Sequence, residues 1–289
     1  DTPRKPYLQQ VQGDSALVCW RRVSSGFPQK VEWRMTGTSD WNAGAEVIQE
    51  EGPGPVYNFT SRLSPLPPDA RVEYRVLSAD LILGRGIFHT AKDSESANPL
   101  KVWVLGDSGS GKREQYHVLN AMAKHTATPD AKTEIDLMLH VGDMAYSHGT
   151  EGEFDGRFFR PYSEMLAHLP CWPAIGNHEI KSSDVETESG PYFDAFILPM
   201  AGEGGGAPSG TEVYYSFDNG PVHFIALDSS GGKITADSEM IRWLKKDLAS
   251  HDREWCIAFF HHPPYSLGTH TSQTARDSRG RLVAMREIV

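Results

Sequence analysis

Ile135-Asp-Leu-Met-Leu-His-Val141 runs directly into Gly142-Asp143-Met144-Ala145-Tyr146, and reading this stretch decides the fold. The first seven residues are an apolar run of strand length, and the glycine after them lets the chain turn sharply. The next residues, an aspartate and a tyrosine, carry chemistry rather than packing. The same grammar recurs along the chain. Val102–Leu105 leads to Gly106-Asp107-Ser108-Gly109, Trp172–Ile175 to Gly176-Asn177-His178-Glu179, and Cys256–Phe260 to His261-His262-Pro263-Pro264-Tyr265. Asp107, Asp143 and Asn177 are spaced 36 and 34 residues apart, about one strand–helix–strand unit each.

Between the runs, Val118, Leu119, Met122 and Ala123 share one helical face, as do Met240, Ile241, Leu244 and Leu248. Uniformly apolar strands separated by amphipathic helices predict an α/β sheet covered on both faces. In such sheets functional groups collect at the carboxyl ends of the strands. Four strand ends here deliver Asp, Asn, Tyr or His. One Gly-Asp after a strand is ordinarily a turn, so the signal lies in the combination. Carboxylate, phenolate and imidazole together suit hard-to-borderline transition metals rather than calcium. The glycines of Gly202–Gly206 mark a loop.

Residues 1–92 read differently. Ser15–Arg21, Lys30–Met35 and Arg71–Ala79 are strand-like, and turn-rich breaks such as Glu51-Gly-Pro-Gly-Pro55 separate them. Strands at this spacing without helical periodicity predict a β-sandwich. The stretch Leu63–Val76, with Tyr74 near its end, resembles the fibronectin type III segment that carries a buried corner tyrosine. Residues 93–98 are small and polar and read as a linker, leaving 99–289 as the α/β domain.

The 289 residues suffice for two domains of roughly 100–200 residues each. A net charge of −10 argues against nucleic-acid or anionic-membrane partners, which need clustered Lys and Arg. No window of about 18 apolar residues suggests a membrane span. The terminus at Asp1, with no initiator Met, reads as a processed mature end, consistent with a secreted or periplasmic protein. Cys19, Cys171 and Cys256 all sit inside apolar runs and read as buried free thiols.

The series GDSG, GDMAY, GNHE and FHHPPY resembles that of the metallophosphoesterase superfamily. Tyr146, three residues after Asp143, makes it similar to a purple acid phosphatase, as do Tyr214–Asp228 and Trp243-Leu244. The resemblance implies a β-sandwich followed by a four-layer α/β/β/α metallophosphoesterase domain. It also implies an Fe(III) ion on Asp107 and Tyr146, with Asp143 bridging to a second divalent metal (Fe, Zn or Mn) on Asn177 and His261. His178 would protonate the departing group, and His270 would stand on the substrate side. Glu179 would orient His178 or its neighbours. The implied reaction is hydrolysis of a small phosphate monoester, with hydroxide held on the metal pair as the nucleophile.

The family also closes its site with a later Gly-His-x-His motif, which this sequence lacks, so the chain is expected to be part of a longer protein. Phosphodiesters or phytate are alternative substrates on the same fold. An adhesion or interaction protein with a degenerate site is the non-enzyme reading. Gly106–Arg113 nearly matches a nucleotide-binding P-loop, but Arg113 stands where a magnesium-holding hydroxyl is needed.

Overall fold

The computed structural model describes residues 3–24, 26–127, 133–267 and 280–288. Two antiparallel sheets form the N-terminal part. One has the order β1-β2-β6-β5, from Arg4–Gln9, Ala16–Arg22, Tyr57–Leu63 and Ile48–Glu51. The other is β4-β3-β7-β8, from Asn42–Ala43, Gln29–Met35, Arg71–Ser78 and Leu81–His89. Val18, Trp20, Val31, Trp33, Phe59, Val72, Tyr74 and Val76 fill the space between them. This is the β-sandwich that the strand spacing predicts.

β2 is buried along almost its whole length. Its even positions, Val18 and Trp20, enter the sandwich core, whereas Leu17 and Cys19 enter the core of the second part. Successive strand side chains point to opposite faces, so an unbroken apolar run such as Ala16–Trp20 needs cover on both sides. Tyr74 is fully buried, and its hydroxyl reaches out of the sandwich to donate to Ala167 O at 3.0 Å. A side chain at Gly86 would collide with that same carbonyl, so the two parts touch backbone to backbone. Ser96 and Asn98, in the expected linker, bond back to Asp69 of the sandwich.

The second part has two further sheets. β9 (Val102–Leu105), β10 (Leu137–His140) and β11 (Cys171–Pro173) pair in parallel, in the order β11-β10-β9. β12 (Tyr215–Asn219) pairs antiparallel with β13 (Val222–Ala226), which pairs parallel with β14 (Trp255–Phe259). Trp172 and Phe217 stack at 3.8 Å where the two sheets meet. Helices lie outside them: α1 (Arg113–Thr126), α2 (Glu151–Glu153), a π-helical stretch (Phe154–Phe159), α3 (Arg160–Leu166), α4 (Glu239–Ser250) and α5 (Arg281–Ile288). Among the described residues no helix is long and apolar enough to cross a membrane.

Four expectations need correction. Val118 is exposed because the inward stripe of α1 runs along Gln115, Leu119, Met122 and Thr126, with Val118 at its rim. Leu248 is exposed in the last turn of α4, where the neighbouring Asp247 points inward instead. Cover on both faces also fails at the sheet margins. Val104 is 59% exposed, Trp255 60%, and Cys256 is an exposed thiol rather than a buried one. Among the described residues β14 has a strand partner on one side alone, so its apolar sequence does not guarantee burial.

Candidate metal centre

The loops after β9, β10, β11 and β14 converge. Asp107 N–H donates to Gly142 O at 3.0 Å, Gly109 N–H to Asp143 O at 3.2 Å, and Tyr146 N–H to Gly109 O at 3.1 Å. These bonds zip the first two loops together. Asp107 and Asp143 both adopt left-handed backbone, with φ of 52° and 58°. Aspartate tolerates that region better than most residues, and such conformations persist where surrounding contacts hold them. Gly142, at φ 93°, must be glycine for a second reason. A β-carbon there would lie 2.7 Å from His261 Nδ1 and 2.8 Å from Gly176 Cα.

The structure brings six of the sequence-named residues together. Tyr146 Oη donates to Asp107 Oδ1 at 2.6 Å. Burial, reinforced by Asp107 and Asp143, pushes the Tyr146 phenol far above its ordinary pKa. Asp143 Oδ1 accepts the His178 N–H at 3.0 Å and lies 3.6 Å from His261 Nε2, while Oδ2 lies 3.8 Å from His178 Nε2. His261 Nε2 is 2.9 Å from Asn177 Oδ1, and its Nδ1 meets Val141 O at 2.9 Å. One atom from each of Asp107, Asp143 and His261 lies within 4.8 Å of the other two. His270 lies outside the described residues.

These residues suit a metal. In neutral His261, Nδ1–H donates to Val141 O, so Nε2 presents a lone pair. That lone pair faces the Asn177 and Asp143 oxygens, which are also acceptors. Several acceptors aimed at one point repel unless a positive centre stands between them. The donors are all oxygen or imidazole nitrogen, with no thiolate.

Glu179 underlies both sides of the centre. Fully buried, it accepts N–H bonds from Asp143 (2.7 Å), Gly176 (3.0 Å) and Ala145 (3.1 Å). Its partners are therefore backbone amides beside the site, not the His178 ring. Burial, then the Asp143 charge, pushes its pKa up to about 7 against the pull of those amides.

Other contributors escaped the sequence reading. His140 ends the apolar run of β10, where a lone polar residue was the available signal. Its Nε2 meets Ser108 Oγ at 2.9 Å, directly beside Asp107, and burial drives its pKa down to about 3. Lys181 Nζ lies 3.0 Å from His178 Nδ1 and 2.8 Å from Ser147 O. The near P-loop offers no phosphate cradle. Its amides at Asp107, Gly109, Ser110, Gly111 and Lys112 are all bonded within the protein.

Residues 100–284, well over half of the chain, match the family described as Calcineurin-like phosphoesterase. The chain belongs to the calcineurin-like phosphoesterase family. Within curated proteins, this calcineurin-like phosphoesterase is similar to purple acid phosphatase 15 of Arabidopsis thaliana. The two are 29% identical over 206 residues, covering 61% of this chain and 35% of that protein. Purple acid phosphatase 23 of the same plant is 34% identical over 206 residues, covering 60% and 40%. Two further Arabidopsis thaliana matches are named as probable inactive purple acid phosphatases. The chain thus spans well under half the length of these relatives. The structure of purple acid phosphatase PPD1 from yellow lupin (Lupinus luteus) seeds aligns with a TM-score of 0.73 at 18% identity. That alignment covers 96% of this chain and 55% of the lupin chain, and shows a common fold.

Proposed function

We propose that this phosphoesterase contributes a dinuclear-metal centre of the purple acid phosphatase kind, acting on small phosphate monoesters. The observation that supports the reading best is the meeting of Asp107, Asp143, Tyr146, Asn177 and His261 at four strand ends. Asp107 and Tyr146 would hold Fe(III), and Asn177 and His261 a second divalent ion (Fe, Zn or Mn). Asp143, whose carboxylate faces both sides, would be shared. Such a pair supplies charge neutralisation on the ester and activation of water. For a chain of net charge −10 it is also the means of attracting an anion. A secreted or periplasmic setting accompanies this reading.

His178 is suited to proton delivery. Nδ1 contacts Ser147 O at 2.6 Å, which orients the ring and leaves Nε2 on the Asp143 side. A proton carried on Nε2 can pass to the departing alkoxide. His270, five residues after Tyr265, is assigned to the substrate side by sequence resemblance alone.

Metal content and the visible spectrum, measured after loading with iron and zinc, test the reading. Tyr146→Phe should lose the phenolate-to-iron colour, and Asp143→Ala should lose stoichiometric metal. His178→Ala should keep its metal while hydrolysis of p-nitrophenyl phosphate falls about 10²–10⁴-fold. A chain that ignores both metals overturns the proposal. Faster turnover of bis(p-nitrophenyl) phosphate than of the monoester would shift the substrate class to phosphodiesters. Bound metal without any turnover would favour the non-catalytic reading.

A further inference from the structure

We infer that Arg4, in the first strand of the sandwich, is a positioning residue for the loop that carries Tyr146 and orients His178. Arg4 is 1% exposed, and its guanidinium crosses from the sandwich into the phosphoesterase part. Nε donates to Asp155 Oδ1 at 2.7 Å, Nη2 to Glu151 Oε2 at 2.7 Å, and Nη1 to Asp194 O at 3.3 Å. The guanidinium lies 4.2 Å over the Phe159 ring. Arg21 of β2 donates to the same Glu151 oxygen, and its own Nε is held by Asn58 Oδ1 at 2.7 Å. Two strands of the sandwich therefore grip one short helical turn.

That turn controls the site loop. Glu153 belongs to α2 together with Glu151, and its carboxylate accepts the N–H groups of Ser147 (2.5 Å), His148 (3.0 Å) and Thr150 (3.1 Å). Thr150 accepts the Glu153 N–H in return, closing a capping box. Ser147 directly follows Tyr146, and its carbonyl orients His178 and Lys181. Ser182 Oγ donates to His148 O at 2.7 Å, tying the same loop to the segment after His178. The physical path runs from Arg4 and Arg21 through Glu151 and Asp155 to Glu153, and from there to both Tyr146 and His178.

Geometry rather than net stability is what this arrangement supplies. Burying a guanidinium and its carboxylates costs desolvation that their attraction roughly offsets, so apolar residues would hold the two parts together at least as firmly. A planar fork with fixed donor directions sets the angle of the turn it grips, which an apolar contact does not.

Amide hydrogen exchange on the full chain, without added metal, tests the inference and does not depend on the phosphatase reading. In Arg4→Gln, exchange at Ser147, His148 and Thr150 should rise about 10-fold or more, while amides of β7 and β10 stay unchanged. Arg4→Lys, which keeps the charge but loses the fork, should give an intermediate rise. Should Arg4→Gln fail to fold, Asp155→Ala frees one edge of the guanidinium with Glu151 in place, and should raise exchange at the same three amides several-fold. A uniform rise across the chain would reduce Arg4 to general stabilisation and overturn the inference. Unchanged loop exchange would overturn it as well. Failure of the phosphatase reading would show separately, as absent metal uptake by the unaltered chain.

Discussion

Glu179 shows how much a single residue organises here. Its two oxygens serve three backbone donors on the loops after β10 and β11, which carry Asp143 and Asn177. A glutamine at this position has one acceptor oxygen, and its NH₂ group would face at least one of those N–H donors. Glu179→Gln should therefore leave the fold intact but weaken metal binding about 10–100-fold, the usual cost of disturbing groups that orient ligands. Zinc titration calorimetry reads this directly, and unchanged affinity would count against an organising role. The sequence reading assigned Glu179 to orienting its neighbours. That its partners are backbone amides from two separate loops is a tertiary fact. The left-handed Asp107 and Asp143 were equally unreadable, because aspartate after glycine fits many turns and the sequence does not name the one chosen.

At the scale of elements, β12, β13 and α4 are joined by one buried imidazole. His223 of β13 is fully buried, with Nδ1 2.6 Å from Asp218 and Nε2 2.8 Å from Asp247. Asp247 also accepts from Ala207 N–H and Ser216 Oγ, Arg253 donates to Asp218, and the His251 ring stacks on His223 at 4.2 Å. Burial alone would lower the His223 pKa, but the bonds and charges of Asp218 and Asp247 outweigh it and push the value up to about 9. An unfolded histidine titrates near 6.5, so this cation stabilises the fold fully below about pH 6.5. The contribution drains away as pH rises through about 9. The advantage of the unaltered chain over His223→Gln should therefore shrink by about 2–6 °C in Tm between pH 6 and pH 9.5. A pH-independent difference would mean that His223 folds uncharged. No sequence signal marked this cluster: Asp218 and His223 face each other across the β12–β13 pair, but Asp247 joins them only when α4 packs on the sheet.

At the scale of the whole molecule, the sandwich keeps a core of its own but also contributes side chains to the core of the second part. Tyr7, Leu17 and Cys19 of the sandwich pack among Phe154, Phe159, Phe196 and their neighbours. Tyr7 lies 4.9 Å from Phe159 and donates its hydroxyl to Ala195 O at 3.0 Å. Unfolding either part would expose the apolar surface of the other, which couples them. Tyr7→Ala should cost about 3 kcal/mol and lower a single calorimetric endotherm as one unit. Two endotherms, one of them unmoved, would show that the parts melt separately. The same shared surface is what lets Arg4, far from the metal centre in sequence, act on the Tyr146 loop.

The sequence by itself marked the four strands whose ends carry Asp107, Asp143, Asn177 and His261, the change from sandwich to α/β, and the six residues that meet at the centre. These follow from local periodicity and from turn chemistry at strand ends, which neighbouring residues settle among themselves. Tertiary structure alone decided which apolar residues are covered. Cys256 and Leu17 both sit in apolar strands, yet one is exposed and the other is buried at the seam between the two parts. It also decided that Arg4 meets Glu151 and that Tyr74 reaches Ala167. Burial and long-range pairing depend on which surfaces come together, and the energy of a contact does not record how far apart its partners lie along the chain.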